Sequence, residues 1–190
     1  MDTTTDQTYI DKVLQGDTNA FSYLINKYKD MAYTVAIKIV KNSEDAEEVA
    51  QDSFLKAYQK LETFKGESKF STWLYSIIYR NAISKIRKKK ITVTDIDPFV
   101  IENHQVDDDL QSDLVKSEEQ EIYVKKIINS LPEKDALLIT LCYLNENSVE
   151  EIEEITGLTK TNIKVKLFRA RKKLYNELSL LLKDEIQEIL

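Results

Sequence analysis

The sequence predicts an all-α protein of two small helical domains joined by an acidic linker, the second domain containing a helix-turn-helix. Three observations lead there. Only three Gly and two Pro punctuate 190 residues, too few for an architecture of strands and tight turns. Apolar residues recur at three- and four-residue spacing along much of the chain, the period of an amphipathic helix. Charge is segregated: two stretches without Asp or Glu, Ser68 to Thr94 and Ile155 to Asn176, each hold seven cations, leaving 13 basic residues against all 33 acidic ones elsewhere. The formal net charge of −6 thus hides two places where a polyanion can dock.

Taken in order, Gly16 and Asp17 precede a long helix whose stripe is Phe21, Leu24, Ile25, Tyr28, Ala32, Val35, Ala36 and Ile39. Ser43 opens a second helix. Glu44, Asp45, Glu47 and Glu48 crowd its start, where the helix dipole favours negative charge, and Ala46, Val49, Ala50, Ser53, Ala57 and Leu61 face inward. The segment Lys65-Gly66-Glu67-Ser68 is a loop. A third helix then buries Trp73, Leu74, Ile77, Ile78, Ala82 and Ile83 and ends in Arg87 to Lys90. These elements form a first domain over 1–90. From 91 to 117 periodicity lapses, Pro98 appears and Asp107, Asp108, Asp109 and Asp113 accumulate, which predicts a linker. The Asp cluster lacks the glycine turn and closing Glu of a calcium loop, so it reads as a solvated acidic segment.

The second domain, 118–190, begins with Ile122, Ile127, Ile128 and Leu131 before Pro132, followed by an apolar-faced helix from Ala136 to Leu144. Ser148-Val149-Glu150-Glu151 is a capping box, in which hydroxyl and carboxylate each satisfy the other residue's backbone N–H. The short helix it starts stops at Gly157, which takes a positive φ without steric cost, and Thr159 caps the next helix. A short helix, a tight glycine turn and a longer basic helix make a helix-turn-helix pattern.

Several function classes are excluded by inventory. Cys142 is the sole cysteine, so no disulfide or cysteine zinc site forms within one chain; it reads as a small buried apolar residue. His104 is the sole histidine, which removes most nucleophile-plus-imidazole arrangements. No glycine-rich phosphate loop is present, and no catalytic residue, cofactor or metal is expected. The apolar runs are too short to span a membrane and Met1 to Thr8 is polar, so the expectation is a soluble cytoplasmic protein without membrane insertion.

The two basic stretches differ in character. In the last helix Ile163, Leu167, Ala170 and Leu174 share one face, leaving Asn162, Lys166, Arg169 and Lys173 opposite, with Lys164, Phe168 and Arg171 beside them. Amides and cations of this kind suit base edges and phosphates of duplex DNA. In the earlier stretch Phe70, Trp73, Tyr75 and Tyr79 interleave with Lys69, Arg80, Asn81 and Lys85. Rings beside cations suit unpaired bases, each stacked base contributing roughly 1–3 kcal/mol. Trp73 and Tyr79 on a helix serve more often as core than as a stacking platform, so taken alone this stretch favours packing.

The string Phe64-Lys65-Gly66-Glu67-Ser68-Lys69-Phe70-Ser71-Thr72-Trp73-Leu74-Tyr75-Ser76-Ile77-Ile78-Tyr79-Arg80-Asn81 resembles the promoter-melting segment of bacterial RNA polymerase sigma factors of the extracytoplasmic function (ECF) group of the sigma-70 family. Asp45 to Tyr58 resembles that group's core-polymerase docking segment. Leu131-Pro132-Glu133-Lys134 and Ser148 to Leu174, with its ending Leu167-Phe168-Arg169-Ala170-Arg171-Lys172-Lys173-Leu174, resemble its promoter-reading domain. The four blocks lie in the family's order over most of residues 16 to 175.

The resemblance implies a division of roles. Asp45, Glu48, Gln51 and Asp52 would meet the β′ and β subunits of core RNA polymerase, where charge complementarity sets orientation and encounter rate. Lys65, Ser68, Lys69, Phe70, Thr72, Trp73 and Tyr79 would capture an extruded base of the minus-ten element, with Arg80 and Asn81 beside it and Arg87 and Lys88 on upstream phosphates. Thr161, Asn162, Lys164, Lys166, Phe168 and Arg169 would meet the minus-thirty-five element as duplex. It further implies an anti-sigma factor as a possible partner. A stand-alone helix-turn-helix regulator would explain the second basic stretch but not the segment around Trp73. The chain departs from the family at Glu153, where a small residue is common, and at Ala136, where an Arg frequently sits. Lys outnumbers Arg in the recognition helix, which favours phosphate contacts over bidentate guanine contacts.

Overall fold

A computed structural model describes residues 3–94, 128 and 131–189, with side chains described for 5–89, 128, 131–132, 135–176 and 179. Among these residues the secondary structure is helical throughout, and the chain divides into two compact units. No described helix is long and apolar enough to cross a membrane.

The first unit is built on α1 (Thr3–Leu14), α2 (Phe21–Val40), α3 (Ser43–Gln59) and α4 (Phe70–Thr94), with 3₁₀ turns at Thr18–Ala20 and Leu61–Thr63. Helices α2, α3 and α4 pack against one another pairwise. The inward stripes read from the sequence are buried apart from Ile25, which is exposed, and Trp73 and Ile83, which are partly exposed. Phe54, Phe70 and Tyr75 join the core. Small side chains set the closeness of the packing: Ala32, Ala36, Ala46, Ala57 and Ala82 are all buried, allowing the backbones to approach. Asn42 caps α3, its side-chain oxygen accepting from the Asp45 N–H at 2.8 Å. Helix α4 continues to Thr94, past the expected end near Lys90, and the remainder of the expected linker, with Pro98, the Asp cluster and His104, lies outside the described residues.

Helix α1 has no counterpart in the sequence reading, because its inward stripe of Asp6, Ile10 and Val13 includes a charge. Asp6 is buried yet satisfied: it pairs with Lys27 and accepts from the Tyr28 hydroxyl at 2.6 Å. Burial, reinforced by the Asp6 hydrogen bond and charge, pushes the Tyr28 phenol well above its ordinary range. Tyr9 stacks on Tyr23 with ring centres 3.8 Å apart, completing the α1–α2 contact.

The second unit contains α5 (Glu133–Ile139), a π-helical turn (Thr140–Leu144), the start of α6 (Val149–Thr156) as far as Glu153, and α7 (Lys160–Ile189). Leu131, Ala136, Leu137, Leu138, Ile139, Leu141, Ile152, Ile163, Leu167 and Ala170 are among its buried apolar residues, and α5 packs on α7. The expected helix from Ala136 to Leu144 is present but changes pitch at Thr140. The wider turn rotates its last residues outward, leaving Tyr143 51% and Leu144 48% exposed. Cys142, on the same turn, is half-buried rather than fully buried, and burial pushes its thiol upward against a smaller opposing effect of Arg171.

Replacing Asp6 with Ala leaves the Tyr28 hydroxyl and Lys27 without their acceptor. The expected loss is about 1–3 kcal/mol of unfolding free energy. A urea titration of the two proteins measures it, and an unchanged midpoint would mean α1 is not held by this carboxylate.

Candidate nucleic-acid interface

On α4, Trp73, Arg80 and Arg87 stand seven residues apart and therefore on one face, two helical turns between each. Arg80, Ser84, Arg87 and Lys88 are exposed along this line. At its N-terminal end Trp73 belongs to an aromatic cluster: its ring centre lies 5.4 Å from Phe64 and 5.7 Å from Phe70, and Phe64 meets Phe70 edge-on at 5.7 Å. The ring is partly exposed, so the cluster fixes it from below while one side meets solvent. Before it, Lys65 and Lys69 are exposed on the loop, which turns at Gly66 with φ 70°.

Not every residue expected at the minus-ten site stands on that line. Phe70 and Thr72 are buried and form part of the core; the helix starts at Phe70, which turns both side chains inward. Tyr79 is half-buried, and burial raises its phenol. Asn81 faces α3, its amide nitrogen donating to the Ser53 hydroxyl at 2.8 Å and its oxygen accepting from Lys56 at 2.7 Å. Ser68 is partly exposed.

The acidic start of α3 is divided. Asp45 contacts Lys89 at 3.0 Å and Lys85 at 3.4 Å, and Glu48 contacts Lys85 at 2.6 Å. Burial alone would raise the Asp45 carboxyl; hydrogen bonds and charge from Lys89 and Lys85 outweigh it and hold the carboxyl below its ordinary value. Glu48 and Asp45 together hold the Lys85 ammonium above its ordinary value. Gln51 and Asp52 are exposed, as is the remainder of Glu48, and Leu55 and Tyr58 add exposed apolar surface to the same helix.

In the second unit the helix-turn-helix has the local geometry that its sequence requires. The Ser148 N–H donates to Glu151 Oε2 at 2.7 Å and the Glu151 N–H donates to Ser148 Oγ at 3.1 Å. Gly157 turns with φ 71°, and the Asn162 N–H donates to Thr159 Oγ1 at 3.4 Å. Glu153 finds a role through a second cap, accepting from the Lys160 N–H at 3.2 Å at the positive end of α7. Lys160 also pairs with Glu150 at 3.2 Å.

The outward face of α7 differs from the one expected. At about 100° per residue, Thr161, Val165, Phe168 and Lys172 lie opposite the buried Ile163, Leu167 and Ala170. All four are exposed. Asn162, Lys164 and Arg169 are exposed on its flanks, whereas Lys166 is half-buried and turned toward Asp135, 3.8 Å away. Val165 and Lys172 were not among the expected contact residues, although a helical wheel centred on Leu167 places both. Among the described residues no group of three His, Cys, Asp or Glu is gathered as a metal would require.

The described residues thus carry helices alone, with a cationic, ring-capped stripe on one unit and a helix-turn-helix on the other. The family Sigma-70 region 2 matches residues 24–91, and Sigma-70 region 4 matches residues 122–174. The chain is 34% identical over 176 residues to the ECF RNA polymerase sigma factor SigW of Bacillus subtilis, covering 89% of this chain and 94% of that one. It is 33% identical to the ECF RNA polymerase sigma-E factor of Haemophilus influenzae, covering 92% and 95% respectively. Its fold matches the sigma factor RpoE of Bartonella quintana, solved with the anti-sigma factor NepR, with a TM-score of 0.67 at 26% identity, over 84% of this chain and 96% of that one. The chain belongs to the ECF RNA polymerase sigma factors, and serves promoter-directed transcription initiation.

Replacing Asp45 with Asn tests the pairing. A carboxyl held below its usual value stabilises the fold fully above its unfolded pKa of about 4, and this contribution is lost as pH falls through the lowered folded value. Thermal melts from pH 7 to pH 2 should therefore show the native chain losing more stability below pH ~4 than the variant. Parallel curves would mean that the carboxyl is not paired.

Proposed function

We propose that the first unit docks on core RNA polymerase and holds the melted minus-ten strand while the second unit reads the minus-thirty-five duplex. The domains would be 1–90 and 118–190, with 91–117 as the connection. What carries this reading is the line on α4: a partly exposed indole on a ring cluster, then guanidinium groups two turns apart. Stacking requires an unpaired base, and the cations beside it hold the displaced backbone. Glu48, Gln51 and Asp52 offer polar and acidic surface to a basic partner, with Asp45 acting mainly through Lys85 and Lys89. Thr161, Asn162, Lys164, Phe168 and Arg169 meet the duplex, and Lys166 approaches phosphate only by leaving Asp135. The chain works in the cytoplasm, without catalysis of its own. NepR in the Bartonella quintana complex supports an anti-sigma partner for this chain as well.

Run-off transcription on genomic fragments with purified core polymerase tests the assignment. Core enzyme should initiate at specific promoters only when this chain is added. A chain that binds duplex DNA tightly alone and never confers initiation would be a free-standing regulator instead. Trp73→Ala should slow open-complex formation by roughly 5- to 150-fold, the equivalent of one stacked base, with core binding unchanged. Circular dichroism distinguishes this from unfolding of the ring cluster. Arg169→Ala should weaken minus-thirty-five binding, by about 1–3 kcal/mol if it touches a base edge, or lower the salt slope by about one if it touches phosphate.

A further inference from the structure

We propose that α7 recognises thymine methyl groups through an apolar ridge made by Val165 and Phe168, so that the duplex element it selects carries thymine where this ridge faces it. The proposal rests on the promoter reading above and specifies what the recognition helix recognises. Val165 is 43% and Phe168 67% exposed, three residues apart on one turn of α7. They stand opposite the buried Ile163 and Leu167, at the middle of the surface that would enter a major groove.

Of the cations near them, Lys172 shares that line one turn further along, and Lys164 and Arg169 stand exposed on its flanks, so beside the ridge itself the middle is apolar. Lys166 turns toward Asp135 at 3.8 Å, Lys160 pairs with Glu150 at 3.2 Å, and Arg171 Nε donates to the Leu167 carbonyl at 3.3 Å. Reading guanine needs a bidentate donor and reading adenine an amide. Neither Val165 nor Phe168 has a hydrogen bond to offer. Among the groups that base pairs display in the major groove, the C5-methyl of thymine is the one that rewards an apolar contact. A polar base edge set against this ridge would lose its water without a replacement partner, so the ridge also discriminates against the other bases.

The test uses holoenzyme assembled from core polymerase and the full chain, with DNA randomised over the upstream element and fixed downstream. Selected duplexes should carry thymine at neighbouring positions. Replacing each such thymine with deoxyuridine removes only the methyl, and should weaken binding about three- to fourfold per methyl. In holoenzyme carrying Phe168→Ala or Val165→Ala, the thymine-to-deoxyuridine ratio at the faced position should fall to about one. Both side chains are exposed, so the variants should retain the native helical circular dichroism. A selected element without methyl dependence, or a ratio unaltered in both variants, overturns the methyl reading and leaves promoter recognition standing. A holoenzyme that selects no upstream sequence overturns promoter recognition by α7, and this inference with it.

Discussion

Helix α4 carries seven cations in or just before it without an acid, and the pairing of one of its flanks with α3 is the constraint on which the first unit depends. Two lysines at 85 and 89 would repel each other and the neighbouring basic residues. Asp45 and Glu48 take up their charge, and Asn81 links Ser53 and Lys56 one to two turns earlier. These polar contacts lock the rotation of α4 about its axis. With that rotation fixed, Arg80 and Arg87 fall on the side away from α3, in line with Trp73. Exposed ion pairs individually contribute only about 0–1 kcal/mol, so the effect lies in orientation more than in stability.

The second unit reaches its geometry by local means. The reciprocal bonds of Ser148 and Glu151 start α6, Gly157 turns the chain, and Thr159 and Glu153 receive the first free N–H groups of α7. Each device acts within a few residues. The orientation of α7 then follows from burying Ile163, Leu167 and Ala170. Glu153 is accommodated because the positive end of the α7 dipole rewards its carboxylate there.

That locality decides what was legible in the sequence. Helical stripes, the capping box and the glycine turn are short-range patterns, and the structure reproduces them. The helical class and family membership follow from such patterns. Longer-range facts were harder to read. Helix α1 escaped notice because Asp6 sits where a stripe should be apolar, and only Tyr28 and Lys27, some twenty residues away, make its burial tolerable. Phe70 and Thr72 enter the base-capturing segment through the family resemblance, Phe70 also through its place among aromatics and cations, but the start of α4 turns both inward. Asn81 is expected beside the minus-ten site from its place among aromatics and cations and from the resemblance, and its partners Ser53 and Lys56 on α3 are invisible to a local reading. On α7 the flank bearing Asn162, Lys166 and Arg169 drew attention through its charge, while the outermost line passes through the apolar Val165 and Phe168.

The shared carboxylate at Asp45 has a consequence for how such a chain can change over generations. One acid there compensates two lysines some forty residues further along, so the four positions 45, 48, 85 and 89 behave as a single charge unit. Loss of the acid alone would turn a balanced flank into a repulsive one, whereas its loss together with a lysine would be close to neutral. These sites are therefore expected to covary among relatives, and an alignment should show charge exchanged between the two helices in concert.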